Sequence, residues 1–364
     1  MRHSHAPYWL VLALTAFGTA CGGDDGTTLP TGPTLAAATL SAAQGATDPS
    51  EGPFTVAVIG DTPYGPVKLA EFPSLVARIN ADPEVQMVFH AGDIKAGKNA
   101  PCTDAYFDQI RGLFGTFADP LVYTPGDNEW TDCHVAVKNN GLYTPTERLQ
   151  AVRTLFFPAP GRTLGQHGFN VESQASDPAN SAYVENVIWK RARVVYATLN
   201  IPGSNNDQVS WGSPLPVDAA NYPSQAEENA TRAQADRDWL NAAFARAEQT
   251  QAAAVVLLFQ ADMWDTAEPT LSGYDALVQQ IGGLAAAFGK PVLLLEGDSH
   301  AFRVDHPFTP GDALFGLHPT PVAPNVTRIV LEGSDAGRTE YLRLTVDSRG
   351  SAGTPFSWVR VPLH

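Results

Sequence analysis

A chain of 364 residues, 44% hydrophobic and 17% charged, can bury a large core as one big α/β domain or as two smaller ones. Its 38 acidic and 23 basic residues leave a net charge of −15. That balance excludes the broad basic stripe that a nucleic-acid surface or an anionic lipid surface requires, though not a few basic residues at one small site.

The amino-terminal stretch reads as an export signal. Arg2 supplies positive charge, the apolar run YWLVLALTAF follows, and small residues lead to Cys21; the run is short for a bilayer span. The segment FGTACGG is similar to a bacterial lipoprotein processing site in which Cys21 carries lipid, with Gly18 where Leu or a similar residue is usual. A cell-envelope lipoprotein, a secreted protein and a retained anchor are the alternatives, and membrane contact is expected only through such an N-terminal lipid. Residues 22–52 are rich in small residues, Gly, Thr and Pro, without a periodic apolar face. They are expected to form a tether, leaving 53–364 as the folded domain.

From Phe54 a pattern recurs. FTVAVIGD is a β-branched apolar run that ends at Gly60 and Asp61, and VKLAEFPSLVARINA after it has helical spacing. VQMVFHAGD runs into Asp93 and precedes a helical segment around DAYFDQIRGLFGTF; PLVYTPGDNEW brings in Asp127 and precedes TPTERLQAVRTLFF, with Thr144 or Thr146 as its cap. SAYVENVIWKRARVVYATLNI then reads as two antiparallel strands joined by a short turn, and SQAEENATRAQADRDWLNAAFARAEQ as a long amphipathic helix. AAAVVLLFQAD and PVLLLEGD are further strands separated by the helical GYDALVQQIGGLAAAFG. The chain closes with VTRIVLEG, EYLRLTVD and FSWVRVPL, three strands without intervening helices. The expected fold class is α/β, with two packed mixed β-sheets flanked by helices.

Apart from Cys21, the cysteines are Cys102 and Cys133. In an exported chain the even pair points to one disulfide bracing two loops, the other reading being two unpaired thiols.

Gly-Asp stands at four strand ends, giving Asp61, Asp93, Asp127 and Asp298, and His300 lies two positions beyond the last. In open α/β sheets such ends converge on a crevice. Carboxylates gathered there repel one another, and a divalent cation is the simplest remedy. The bland reading of each is a turn whose aspartate caps a helix, to which Asp61 is most open, and for His300 a hydrogen-bonded structural histidine. GDTPYGPV lacks the Lys-Ser/Thr of a phosphate-binding P-loop, and no Gly-x-Gly-x-x-Gly follows any strand.

The blocks GDTPYG, GDIKAG, GDNEW, FQAD and GDSHAF between residues 54 and 302 resemble those of the calcineurin-like metallophosphoesterases. That family carries Asp-x-His, Gly-Asp-x-x-Asp, Gly-Asn-His-Asp/Glu, a lone His after a strand, and Gly-His-x-His. Here Pro63 replaces the first histidine, Ala96 the second acidic residue, Asp127 the asparagine and Asn128 the histidine near the leaving group. Gln260 takes the lone-histidine position, with Asp262 as an alternative, and Asp298 replaces the first histidine of the last block.

The resemblance implies an αββα sandwich and an exported hydrolase of phosphate esters or anhydrides, in which a hydroxide held by metal attacks phosphorus. Two divalent metal ions are implied, one on Asp61, Asp93 and His300 and the other on Asp93, Asp127, Asp298 and Gln260. The oxygen-rich set favours Mn or Mg, with Fe, Ca or Zn as alternatives. Asn128 cannot deliver a proton, so substrates whose leaving group needs little protonation are expected, unless His134 folds inward as the acid.

Lys95, Lys98 and Arg303 are candidate phosphate contacts, and Glu129 a candidate to orient a ligand. Tyr64 is a further candidate near the metal, while His90, within its strand, reads as a packing residue. The expected partner is a small phosphorylated substrate. The rival is a metal- or ligand-binding surface protein that has lost catalysis on the same scaffold; a third possibility is a structural domain whose aspartates only cap helices.

Overall fold

The computed structural model describes residues 52–138, 140–350 and 354–364. The segment expected to be an export signal, Cys21 and the expected tether as far as residue 51 lie outside the described residues. Among those described, no helix is long and apolar enough to cross a membrane.

The strands are β1 (Phe54–Ile59), β2 (Val85–His90), β3 (Leu121–Tyr123), β4 (Glu172–Ser173), β5 (Val187–Arg191), β6 (Val194–Thr198) and β7 (Ala254–Leu258). They continue with β8 (Val292–Glu296), β9 (Arg303–Asp305), β10 (Val326–Val330), β11 (Glu340–Val346) and β12 (Phe356–Pro362). The principal helices are α1 (Gly65–Asn80), α2 (Asp104–Phe114), α3 (Pro145–Phe156), α4 (Gln225–Gln249) and α5 (Asp275–Phe288).

Five strands form one sheet in the order β12-β11-β1-β2-β3, and seven form a second in the order β4-β5-β6-β7-β8-β10-β9. Both are mixed. β1, β2 and β3 are parallel and β11 is antiparallel to β1. β6, β7, β8 and β10 are parallel, with antiparallel strands at both edges.

Alternation of side chains assigns the layers. Val56 and Val58 of β1, Phe89 of β2, Tyr196 of β6, Val256 and Leu258 of β7 and Leu293 and Leu295 of β8 share one core between the sheets. The intervening residues face helices. Ala57, Ile59 and Val88 meet Phe72, Leu75 and Ile79 of α1 and Phe107 and Ile110 of α2, while Val255, Leu257 and Leu294 meet Leu240 and Phe244 of α4 and Val278 and Ile281 of α5. The central strands are buried on both faces, which is why they read as continuous apolar runs rather than alternating ones.

The expected order of elements is present, with particular differences. The three closing strands divide between the sheets: β10 lies parallel to β8, while β11 and β12 complete the first sheet. Thr144 precedes α3 without capping it; its hydroxyl hydrogen-bonds to Asp218 Oδ1 at 2.7 Å. The expected α4 is present, with the Ser224 side chain accepting from Glu227 N.

Cys102 and Cys133 are disulfide-bonded with a Cα–Cα separation of 5.8 Å. The bond ties the segment entering α2 to the loop beyond β3, both adjacent to the site below. Removing it by Cys102→Ser is expected to lower the unfolding free energy by about 3–4 kcal/mol, given the 31-residue separation it closes. Urea denaturation with and without reductant measures this; equal midpoints for wild type and variant would refute it.

Candidate metal centre

The carboxyl ends of the parallel strands in both sheets point to one place. β1 delivers Asp61 and Tyr64, β2 delivers Asp93, and β3 delivers Asp127 and Asn128; from the second sheet β7 delivers Gln260 and β8 delivers Asp298 and His300. A cavity of about 240 Å³ is lined by Tyr64, Asp93, Asp127, Asn128, Asp298 and His300, with Ala96, Gly97, Lys98 and Asp335 at its margins. Asp61 lies buried beneath it and Gln260 is buried beside Asp93.

The Gly-Asp pairs work differently from a simple glycine turn. Asp61, Asp93 and Asp298 themselves adopt left-handed backbone, with φ of 50°, 58° and 74°. Aspartate is one of the few residues that accept it. The glycines are required for space: a Cβ on Gly126 would lie 2.0 Å from Asp93 Oδ1, and one on Gly297 would lie 2.4 Å from Asp61 Oδ2. Each of these two glycines therefore makes room for a carboxylate belonging to another strand.

Two groups of possible ligands result. Oxygens of Asp61 and Asp93 and a ring nitrogen of His300 lie within 4.8 Å of one another, as do carboxylate oxygens of Asp93, Asp127 and Asp298. Asp93 belongs to both. These clusters could hold metal ions, and the fit has independent support: Asp61 Oδ2 is fully buried and has no hydrogen-bond partner among the described residues. A buried carboxylate oxygen without a donor is costly unless a cation meets it. Asp61 does not cap α1, whose N-cap is Tyr64 with no side-chain cap.

Hydrogen bonds fix the carboxylates. Asp93 Oδ1 accepts from Asn128 N at 3.1 Å, and Asp93 Oδ2 accepts from Asn128 Nδ2 at 2.5 Å, Tyr64 OH at 3.0 Å and Gln260 Nε2 at 3.2 Å. Asp61 Oδ1 accepts from Asp298 N at 2.9 Å. His300 bridges two carboxylates, with Nε2 3.5 Å from Asp61 Oδ1 and Nδ1 3.5 Å from Asp335 Oδ2, and its ring lies edge-on to Tyr64.

Electrostatics follow from this crowding. Burial, then the charges of Asp127, Glu129, Asp61 and Asp298, push the Asp93 carboxyl well above the usual carboxylate range. Burial and Asp132 push Asp127 up to about 7, against the hydrogen bond from Ser204. Asp298 is raised by burial and then by Asp127 and Asp61. For His300 burial acts downward, but Asp61 and Asp335 outweigh it and raise the imidazole.

Comparison with known proteins adds little to this geometry. No family model matches the chain, and no curated protein matches it. Among solved structures, GAP50, described as the anchor in the inner membrane complex of Plasmodium, aligns over 86% of this chain and 89% of its own at 10% identity and a TM-score of 0.44. A double mutant of the amidase from Nesterenkonia sp. AN1, in complex with acrylamide, aligns over 87% and 90% at 12% identity and a TM-score of 0.30. Similarities at this level carry no functional weight.

Several expected roles are corrected. Lys95 is fully buried and donates to Ala96 O and Asn128 O at 2.8 Å each, so it holds the loops together instead of meeting phosphate. Burial lowers its ammonium pKa. Arg303 is paired with Asp262 Oδ2, which also accepts from Ser299. Arg328 takes the other oxygen of Asp262, which removes Asp262 as a ligand. Gln260 Oε1 accepts from Gly203 N at 2.5 Å, so the amide nitrogen, not the oxygen, faces Asp93. His134 is turned to Thr131 O at 2.5 Å and is not among the residues lining the cavity. Lys98 is exposed at the cavity margin.

Other residues support the site from behind. Glu129 Oε1 accepts from Asp93 N, Gly126 N and Tyr123 OH, so this buried carboxylate orients two of the strand-end loops. His90 does more than pack. Gly92 N donates to Nδ1, which leaves the proton on Nε2 for Thr62 O at 2.9 Å, and one neutral ring thus ties the loops carrying Asp61 and Asp93. Burial lowers its pKa to about 4, against the hydrogen bond to Thr62.

Tyr64 stands at the centre of the network, donating to Asp93 and accepting from Asn128 Nδ2 at 3.1 Å. Burial and then Asp93 hold its phenol well above the usual range, so it stays protonated.

The segment after β6 was absent from the sequence-based site. Gly203 packs against Asp127 and Asp298, and Ser204 Oγ donates to Asp127 Oδ2 at 2.7 Å. Ser204, Asn205, Asn206 and Asp207 form a left-handed turn with φ from 54° to 59°. Such backbone costs about 1 kcal/mol or more per residue, least for Asn and Asp. An apolar strand ending in Gly-Ser-Asn-Asn-Asp was the available signal.

A metal held on these clusters would be bound in a pH-dependent way. The raised pKa of Asp127 means that its folded-state penalty is present in full above about pH 7 and is relieved as pH falls through that value. His90 acts in the opposite sense, its contribution to stability declining from about pH 6.5 downward. Metal-free protein is therefore expected to gain thermal stability between pH 8 and about 6.5, while Mn²⁺ binding releases protons and weakens over the same interval. Thermal unfolding and calorimetry in buffers of different ionisation enthalpy test this; flat profiles for both would contradict it.

Proposed function

We propose that this protein is an exported, metal-dependent hydrolase of phosphate esters or anhydrides. The observation that carries the reading is the pair of three-residue clusters sharing Asp93, built from strand ends of two sheets. Asp61, Asp93 and His300 would hold one divalent cation and Asp93, Asp127 and Asp298 the other. The mostly oxygen donor set favours Mn or Mg. Bound cations there supply charge neutralisation for a phosphoryl group and ease deprotonation of an attacking water. The Cys102–Cys133 disulfide suits the oxidising compartment that the export signal implies.

The chain's own residues set the rest of the chemistry. Asn128 Nδ2 and Tyr64 OH, on the cavity wall, are taken up by Asp93 and by each other, so Lys98 at its margin is left to add positive charge for an anionic substrate. Asn128 cannot release a proton, and His134, turned to Thr131 O through Nδ1, does not line the cavity. Leaving groups that depart as stable anions, such as aryl oxides and phosphates, match such a site. The same missing acid favours a second reading, in which the scaffold binds metal or ligand at the cell surface without turnover.

Asp93→Asn discriminates among these. It is expected to abolish metal binding and lower kcat/KM for an aryl phosphate or aryl diester by at least ~10³-fold, equivalent to about 4 kcal/mol of transition-state stabilisation. Metal bound by wild type without turnover of any phosphate selects the binding protein; no metal bound under any condition rejects the hydrolase and the metal-binding protein alike.

A further inference from the structure

We propose that the left-handed turn of residues 204–207, with Gly203 before it, is a built part of this metal centre, and that Ser204 is a positioning residue for Asp127. The inference rests on the reading that Asp93, Asp127 and Asp298 hold a cation. The turn follows β6, beside the second of the two ligand clusters, and it meets Asp127 and Asp298 of that cluster and the Gln260 next to it. Ser204 Oγ donates to Asp127 Oδ2 at 2.7 Å, Gly203 N donates to Gln260 Oε1 at 2.5 Å, and a Cβ on Gly203 would fall 2.7 Å from Asp127 Oδ2 and 2.9 Å from Asp298 Oδ2. The hydroxyl thus occupies one oxygen of Asp127, while Asp262 N occupies Oδ2 of Asp298 at 3.3 Å. Among the described residues no donor is assigned to Oδ1 of either carboxylate, so each has one oxygen free for a cation.

Four successive non-glycine residues in left-handed backbone do not persist without support. Here the support is buried and specific. The Arg232 guanidinium, fully buried on α4, donates to Asn206 Oδ1 at 2.6 Å, Asn206 O at 3.2 Å and Asn200 O at 3.1 Å. Gly273 N donates to Asn205 Oδ1 and Trp211 Nε1 to Asp207 Oδ1, both at 2.8 Å. Groups from α4, from the loop before α5 and from the segment after the turn therefore converge to hold a strained backbone in one form. The result of that form is the seating of Gly203 and Ser204 on the carboxylates. Polar groups arranged behind metal ligands in this way set ligand orientation, and losing one commonly weakens metal affinity 10–100-fold.

Calorimetric titration of the full chain with Mn²⁺, alongside thermal unfolding of metal-free protein, tests the role. Ser204→Gly keeps left-handed backbone at no steric cost and removes only the hydroxyl. It is expected to weaken one Mn²⁺ site roughly 10–100-fold, the same site that Asp127→Asn weakens, without lowering the metal-free unfolding midpoint. Arg232→Met should weaken that site and also lower the midpoint. Unchanged Mn²⁺ affinity in Ser204→Gly, or weakening spread equally over two sites, overturns the positioning role while leaving the metal centre standing. A wild-type chain that binds neither Mn²⁺ nor, in a parallel titration, Mg²⁺ overturns the metal centre itself.

Discussion

Repulsion among carboxylates that the fold forces together is the constraint on which the rest of this structure depends. Parallel strands of two different sheets end at one place, and Asp61, Asp93, Asp127 and Asp298 arrive there from four of them. Burial removes the water that would screen them, so Asp93, Asp127 and Asp298 are all raised above ordinary carboxylate values. A fold that gained nothing from this arrangement would replace one of the four with an amide or an apolar residue. The scaffold instead reinforces it, with glycines at 126 and 297 that leave room for a neighbouring carboxylate and Glu129 adding another buried acid behind Asp93.

The reinforcement is distributed so that no single element carries it. His90 joins the loops after β1 and β2, Glu129 joins those after β2 and β3, and Gln260 joins Asp93 in the first sheet to Gly203 in the second. The disulfide then fixes the outer loops to each other. Of these ties Gln260 crosses between the sheets, and the others bind the strand ends of the first sheet to one another, at the carboxyl ends where the inter-sheet apolar core gives way to polar side chains. Polar connections that satisfy one another can specify a single arrangement there more sharply than apolar contacts can.

Much of this was legible in the amino-acid sequence, for a physical reason. Central strands buried on both faces make long apolar runs, and a polar residue that ends such a run stands out; Asp61, Asp93 and Asp298 do so, and Asp127 follows the short edge strand β3 with the same Gly-Asp step. What was not legible depended on side-chain direction. Lys95 and Arg303 sit beside site aspartates in sequence, yet one turns into the loop core and the other into a pair with Asp262. His90, two residues before Gly92 in a strand, gives no sign of the two backbone groups it meets. The 203–207 turn gives less sign of itself, because its chemistry is carried by backbone and a single hydroxyl and its strand leads into Pro-Gly-Ser rather than Gly-Asp.

The direction of those cations has a consequence for how an anionic substrate could be held. Lys95 and Arg303 are spent within the protein, so the cavity lining offers Lys98 and His300 against Asp93, Asp127, Asp298 and Asp335. Without metal that balance repels a phosphate. Two divalent cations would bring four charges to meet the four carboxylates of Asp61, Asp93, Asp127 and Asp298, leaving the centre near neutrality rather than strongly positive. In the hydrolase reading substrate binding is then coupled to metal occupancy, since each cation bound removes repulsion that the next anion would face. In that reading the hydrogen bonds that seat Asp127 and Asp93 would act on substrate through the same route, by fixing the carboxylates that hold the cations on which phosphate binding would depend.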